Sequence, residues 1–188
     1  MRGGAKIGLQ FVLPLLLFGS SLMTDGWAQS KGTARRTSSA ISMKSAVEGT
    51  ISVSFVSAPD GAAMTGGASG QRNLDLGAVS HASGARNPNV QVQKLPGHFV
   101  VSTKFGLSIQ DGSQHTATVT VLAALAQPDS AFHYRLDGIT LQPTPQLLQG
   151  QARVGPTLVH RLEIDVPASV TEKNSQLHNA IIFQIIPN

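Results

Sequence analysis

Apolar and polar side chains take turns along most of this chain, and no stretch holds an apolar period of 3.6 long enough for a substantial helix. The clearest case runs from Leu158 to Val166, where Leu158, His160, Leu162, Ile164 and Val166 alternate with Val159, Arg161, Glu163 and Asp165. Successive strand side chains point to opposite faces, so this segment predicts a half-buried strand with one greasy and one charged side. Phe99 to Ile109 repeats the pattern, with Val101, Phe105, Leu107 and Ile109 set against Ser102, Lys104, Ser108 and Gln110. Asp111-Gly112-Ser113 supplies a turn, and the alternation resumes from Thr116 to Leu125, so the two segments read as a hairpin. A further strand is predicted over Ala131 to Leu136 with Phe132, Tyr134 and Leu136 inward, followed by a turn at Asp137-Gly138. Asn179 to Ile186 is apolar on nearly every position, which suits a strand inside a sheet rather than at its edge, and Pro187 ends it.

Earlier, Thr50 to Val56 alternates Ile51, Val53 and Phe55 with serines, while Leu74 to Val79 and Val90 to Leu95 are shorter strand candidates. Between the strands lie Ala58 to Gly70, Ser80 to Pro88 and Pro143 to Pro156, rich in glycine, proline and small residues, which are expected to be surface connections. Some seven to eight short antiparallel strands separated by turn signals predict an all-β fold, a β-sandwich of immunoglobulin-like or Greek-key type. The uneven strand lengths fit a closed barrel less well, and no internal repeat is visible.

The N-terminal region breaks this pattern. Met1 to Lys6 is short and basic, and Ile7 to Phe18 is an almost unbroken apolar run. A helix crossing the roughly 30 Å hydrocarbon core needs about 20 apolar residues, so this shorter run predicts a removable export signal, not an anchor. Small residues before Gln29 place cleavage between Ala28 and Gln29, giving a 1–28 signal peptide and no stable membrane span in the mature chain. The expected location is therefore secreted, periplasmic or cell surface. Residues 29–48 follow as a flexible basic tail bearing Lys31, Arg35, Arg36 and Lys44, with the sandwich domain expected over 49–188. Ile41, Met43 and Val47 fall on alternate positions within that tail. They could pair as the first strand of their own domain or be donated to the open sheet of another subunit.

Composition narrows the chemistry. There is no cysteine, which removes disulfides, thiol catalysis, thiolate metal sites and lipidation through a thiol. A chain of this length can still bury enough surface to fold without disulfides. Losing Arg2, Lys6 and Asp25 with the signal takes the formal charge only from +4 to +3. That mild excess, with few aromatics, does not predict nucleic-acid binding.

The six histidines, His81, His98, His115, His133, His160 and His178, are never two at ligand spacing on one short element, so no metal site is expected. His160 falls on the apolar face of its strand, where a hydrogen-bonded structural histidine is the usual occupant. No Gly-x-Ser-x-Gly elbow is present, and the glycine-rich run Gly66 to Gly70 is followed by no phosphate-binding lysine. Glu163 and Asp165 beside Arg161 read as a surface charge ladder. No cofactor and no enzymatic activity are expected.

The segment Leu74-Asp75-Leu76-Gly77-Ala78-Val79-Ser80 resembles the leucine/phenylalanine-Gly motif in the first half of bacterial fimbrial-subunit-like secreted β-sandwich proteins. That resemblance implies a structural or adhesive role. The chain departs from chaperone–usher pilins in having no disulfide and in carrying a complete C-terminal strand. The function expected from the sequence is an exported structural or surface-associated protein acting through protein or envelope contacts, with self-association as one form. A module binding a ligand or carbohydrate in the loops at one end of the sandwich is the alternative.

Overall fold

The computed structural model describes residues 39–47, 50–66, 70–113, 117–169, 177 and 179–188. The expected signal segment, its cleavage point at Ala28 and Gln29, and the tail as far as residue 38 lie outside the described residues.

The described residues are all-β, with no helix among them, and form fourteen strands. In chain order these are β1 (Ser39–Val47), β2 (Ile51–Ser57), β3 (Ala63–Thr65), β4 (Gln71–Gly77), β5 (Val79–Ser80), β6 (Gly84–Ala85) and β7 (Gln91–Leu95). They continue with β8 (His98–Asp111), β9 (Thr118–Leu125), β10 (His133–Leu136), β11 (Ile139–Thr140), β12 (Gln146–Arg153), β13 (Thr157–Pro167) and β14 (Ala180–Pro187). Eight of them have seven residues or more, and these carry the sandwich.

Two sheets stack. The first has the order β12-β9-β14-β1-β4-β3, and the second β11-β10-β13-β8-β2, with β7 also on β8. The chain crosses repeatedly between them, so neighbours in space are seldom neighbours in sequence. One pair is parallel: β1 runs beside β14 with Ser42 opposite Ala180, and β14 is central in its sheet, as its apolar sequence predicts. Each sheet turns one set of alternate residues inward, and the core closes around Ile41, Met43, Leu74, Val121, Ile181 and Phe183 of the first sheet and Phe55, Phe105, Leu107, Tyr134, Leu162 and Ile164 of the second.

Three sequence expectations are corrected. β8 and β9 are not a hairpin: they belong to different sheets. β8 has no free edge to offer, because β13 lines one side from His98 to Ser108 while β7 and β2 share the other. Alternation identifies the buried face of a strand but not its partner, and β9 instead lies in the sheet stacked on β8.

Pro143 to Pro156 is not merely a connection, since it contains the edge strand β12. Two register shifts against β9 destroy the two-residue period there, which hides the strand from a pattern reading.

Nor is Ala58 to Gly70 wholly a surface loop. Ala58 and Ala62 are buried, and the amide of Ala62 donates to Thr103 Oγ1 at 2.8 Å. That hydroxyl in turn donates to the carbonyl of Asn89 at 2.8 Å. These contacts fill the gap along β8 between the end of β2 and the start of β7, where only small residues fit.

Candidate functional site

Turn chemistry sets the most polar feature of the core. Asp137-Gly138 joins β10 to β11 with positive φ at both positions, 52° and 83°, and Leu136 pairs with Ile139. This is the two-residue type I′ geometry that Asp-Gly favours. The fold places Asp137 against β13, where its amide donates to the carbonyl of Arg161 at 2.9 Å and its Oδ1 accepts from the Arg161 amide at 2.7 Å. Oδ2 lies 2.6 Å from Nδ1 of His160, which is only 4% exposed. An ionised carboxylate only accepts, so Nδ1 carries the shared proton.

The other imidazole nitrogen, Nε2, is buried with no hydrogen-bond partner. The ring packs 5.7 Å from Phe105 and 6.1 Å from Phe183, and Phe183 also meets Phe55 at 5.5 Å and Phe105 at 5.9 Å. His160 is thus a member of an aromatic cluster bridging the two sheets, tethered from outside by Asp137. It has the acid–imidazole half of a hydrolytic triad, and its ring stands against the rings of Phe105 and Phe183.

Burial works against the charge on Asp137, yet the hydrogen bonds from His160 and the Arg161 amide and the charge of His160 outweigh it and hold the carboxyl below its ordinary value. A folded value below the unfolded one means that the carboxylate stabilises the fold above the usual aspartate range. That contribution is lost as pH falls through the lowered value. Asp137→Asn is therefore expected to flatten the acid limb of the stability profile, read by urea unfolding from neutral pH to about pH 3. An unchanged acid limb in the variant would assign the pH dependence to other carboxylates.

The outer face of the second sheet carries the charge ladder. Glu163 lies 3.4 Å from Arg135 and 3.2 Å from Arg161, and Asp165 lies 4.0 Å from His98. Such exposed pairs are worth at most about 1 kcal/mol each. His133 is opposite Asp165 in the β10–β13 register, and the His81 ring lies 5.9 Å from that of Phe99, tilted by 60°. His115 and His178 lie outside the described residues. Among the described residues no group of three or more potential ligands is placed to hold a metal ion, and no helix is long and apolar enough to cross a membrane. The five described phenylalanines and Tyr134 are all buried, so the described end loops present no phenylalanine or tyrosine ring for a sugar to stack on.

Of the tail residues, Ile41 and Met43 are fully buried on β1, which is held between β14 and β4 of the same chain, while Val47 at the strand's end is 40% exposed. This segment is paired within its own domain. Leu74 and Leu76 point into the core from β4, and Gly77 ends that strand with φ at 66°.

Across β2, β8 and β13, Val56 and Val159 both pair with Gly106. A Cβ on Gly106 would lie 2.6 Å from Val56 Cγ2 and 2.8 Å from Thr157 Cγ2, so the glycine lets neighbouring side chains close over the strand. The result is an apolar row on the outer face of the second sheet, with Val56 37% and Val159 56% exposed. Sequence reading missed this row, because a valine on the polar side of an alternating strand looks like an ordinary exception.

No family model matches the chain. No curated protein matches it either. Among solved structures, the N-terminal domain of PorA aligns with 51% of this chain and 83% of its own length, at 13% identity and a TM-score of 0.29.

Proposed function

We propose that this chain is an exported structural or surface-associated β-sandwich, pilus-like or adhesive in character, which acts by making contacts with other proteins or with envelope material. The observation that supports this reading best is the exposed valine pair on the second sheet, held around a glycine, on the face that also carries the Arg135–Glu163–Arg161 ion pairs. Two exposed valines flanking a glycine across neighbouring strands are a feature of contact surfaces, not of a site for chemistry. The N-terminal apolar run adds the route out of the cytoplasm.

The test is made on the full chain in its own cells. Mass spectrometry is expected to find a mature form beginning at Gln29, and fractionation to find it bound to the envelope or in assemblies. A protein that keeps residues 1–28, or that is processed but free and monomeric in the medium, overturns the proposal.

A further inference from the structure

Most strand edges at the margins of the two sheets are defended. β12 is broken by two register shifts and ends at Arg153, while β3 and β11 have three and two residues. β7 carries Lys94, whose ammonium is held 2.9 Å from the carbonyl of Ala82 beside β6. β2 is different. Its seven residues pair with β8 in unbroken register from Ile51 opposite Asp111 to Ser57 opposite Phe105, and no described strand lies on its other side. It has no charge, no proline and no bulge, and its outward residues Ser52, Ser54 and Val56 are exposed. Natural sheets seldom leave so regular an edge bare.

We propose that β2 pairs antiparallel with β2 of a second copy of this chain, joining the second sheets of two molecules into one; the inference deepens the contact-making role above and rests on it. Two identical strands paired antiparallel are related by a two-fold axis, the commonest symmetry of protein pairs. With the central residue Ser54 on that axis, Ser52 stands opposite the partner's Val56 and Val53 opposite the partner's Phe55. The uncharged sequence favours self-pairing specifically. A lysine or carboxylate at the axis would face its own copy, whereas two serines meet without repulsion. A charged foreign strand would find no complementary charge along β2 to select it. On the outer face, Val56 of each copy then stands beside Ser52 of the other, on either side of the paired Ser54 residues.

Absence of cysteine from the chain makes the test direct, because a single introduced thiol can bridge only to another molecule. Directly opposed residues in an antiparallel pair have Cα atoms about 4.5–5.5 Å apart, within the range a disulfide spans. In the full chain, Ser54→Cys is expected to form disulfide dimers under mild oxidation at least about ten times faster than Thr140→Cys on β11, since pairing raises the effective thiol concentration. Sedimentation of the wild-type chain is expected to show a concentration-dependent dimer, weakened at least about tenfold by Ser54→Lys through like-charge repulsion at the axis. Thermal melts of both variants verify folding, and a variant that fails to fold is replaced by Ser52→Cys against Val56→Cys as a mixed pair. A wild-type dimer indifferent to Ser54→Lys, or cysteine bridging no faster than the control, overturns the inference. So does a thiol at position 54 that joins a different protein, which assigns the edge to a foreign strand. Envelope association that persists alongside any of these results leaves the broader role standing and removes only the self-pairing.

Discussion

Phe183→Ala is expected to cost the domain about 3–5 kcal/mol, the range for truncating a fully buried phenylalanine. Phe183 is the first sheet's contribution to the ring cluster, and it touches Phe55, Phe105 and His160 of the second. Its loss removes three inter-sheet contacts together and opens a cavity beside the unpartnered Nε2 of His160. Since domains are stable by only about 5–15 kcal/mol, the variant should unfold at a visibly lower urea concentration and melt about 10 °C earlier. Phe183→Leu, which keeps most of the volume, is expected to lose less than half as much. Equal losses for the two would mean that ring packing does not hold the sheets together.

Gly61→Ala is expected to destabilise by about 3 kcal/mol, for a reason unrelated to backbone freedom. A Cβ at Gly61 would sit 2.0 Å from the carbonyl oxygen of Lys104 and 2.7 Å from its carbonyl carbon. Neither atom can swing aside, because Lys104 is in the middle of β8, paired with Arg161 of β13. The loop must therefore lift, and with it go the Ala62 amide bond to Thr103 and the ion pair of Asp60 with Lys104 at 2.5 Å. Gly150→Ala is the natural control. Nothing lies within 4 Å of its Cβ position, and the change is expected to be neutral or to stabilise by a few tenths to about 1 kcal/mol. Denaturant midpoints of the two variants should move in clearly different measure, and similar midpoints would refute the close-packing account of Gly61.

What the chain made legible was the inward face of each regular strand. Leu162, Ile164, Val166, Phe105, Leu107, Ile109, Val119 and Val121 are all buried as alternation predicts, because a strand with one wet side must follow the two-residue period. Partner identity was not legible. Nothing in β8 or β9 alone says that they lie in opposite sheets, since pairing depends on which edges other segments have already taken.

β12 was hidden by its bulges, and the packed stretch from Ala58 to Ala62 by the smallness of its residues, which looks like a loop whether or not it is buried. Of the polar core, the Asp-Gly turn and the inward position of His160 could both be read. Their meeting could not, because the hydrogen bond joins residues on separate strands. The valine row likewise emerges only when three strands are in register.

The parallel contact of β1 with β14 has a kinetic consequence. The middle of the first sheet is assembled from opposite extremes of the domain, so its closure waits for nearly the whole polypeptide to become available. Topologies dominated by distant pairings fold on the millisecond-to-second scale. Until β14 arrives, β1 and β9 each present a bare flank, an interval in which a holding factor could grip the nascent molecule and in which crowding would favour mispairing between neighbours.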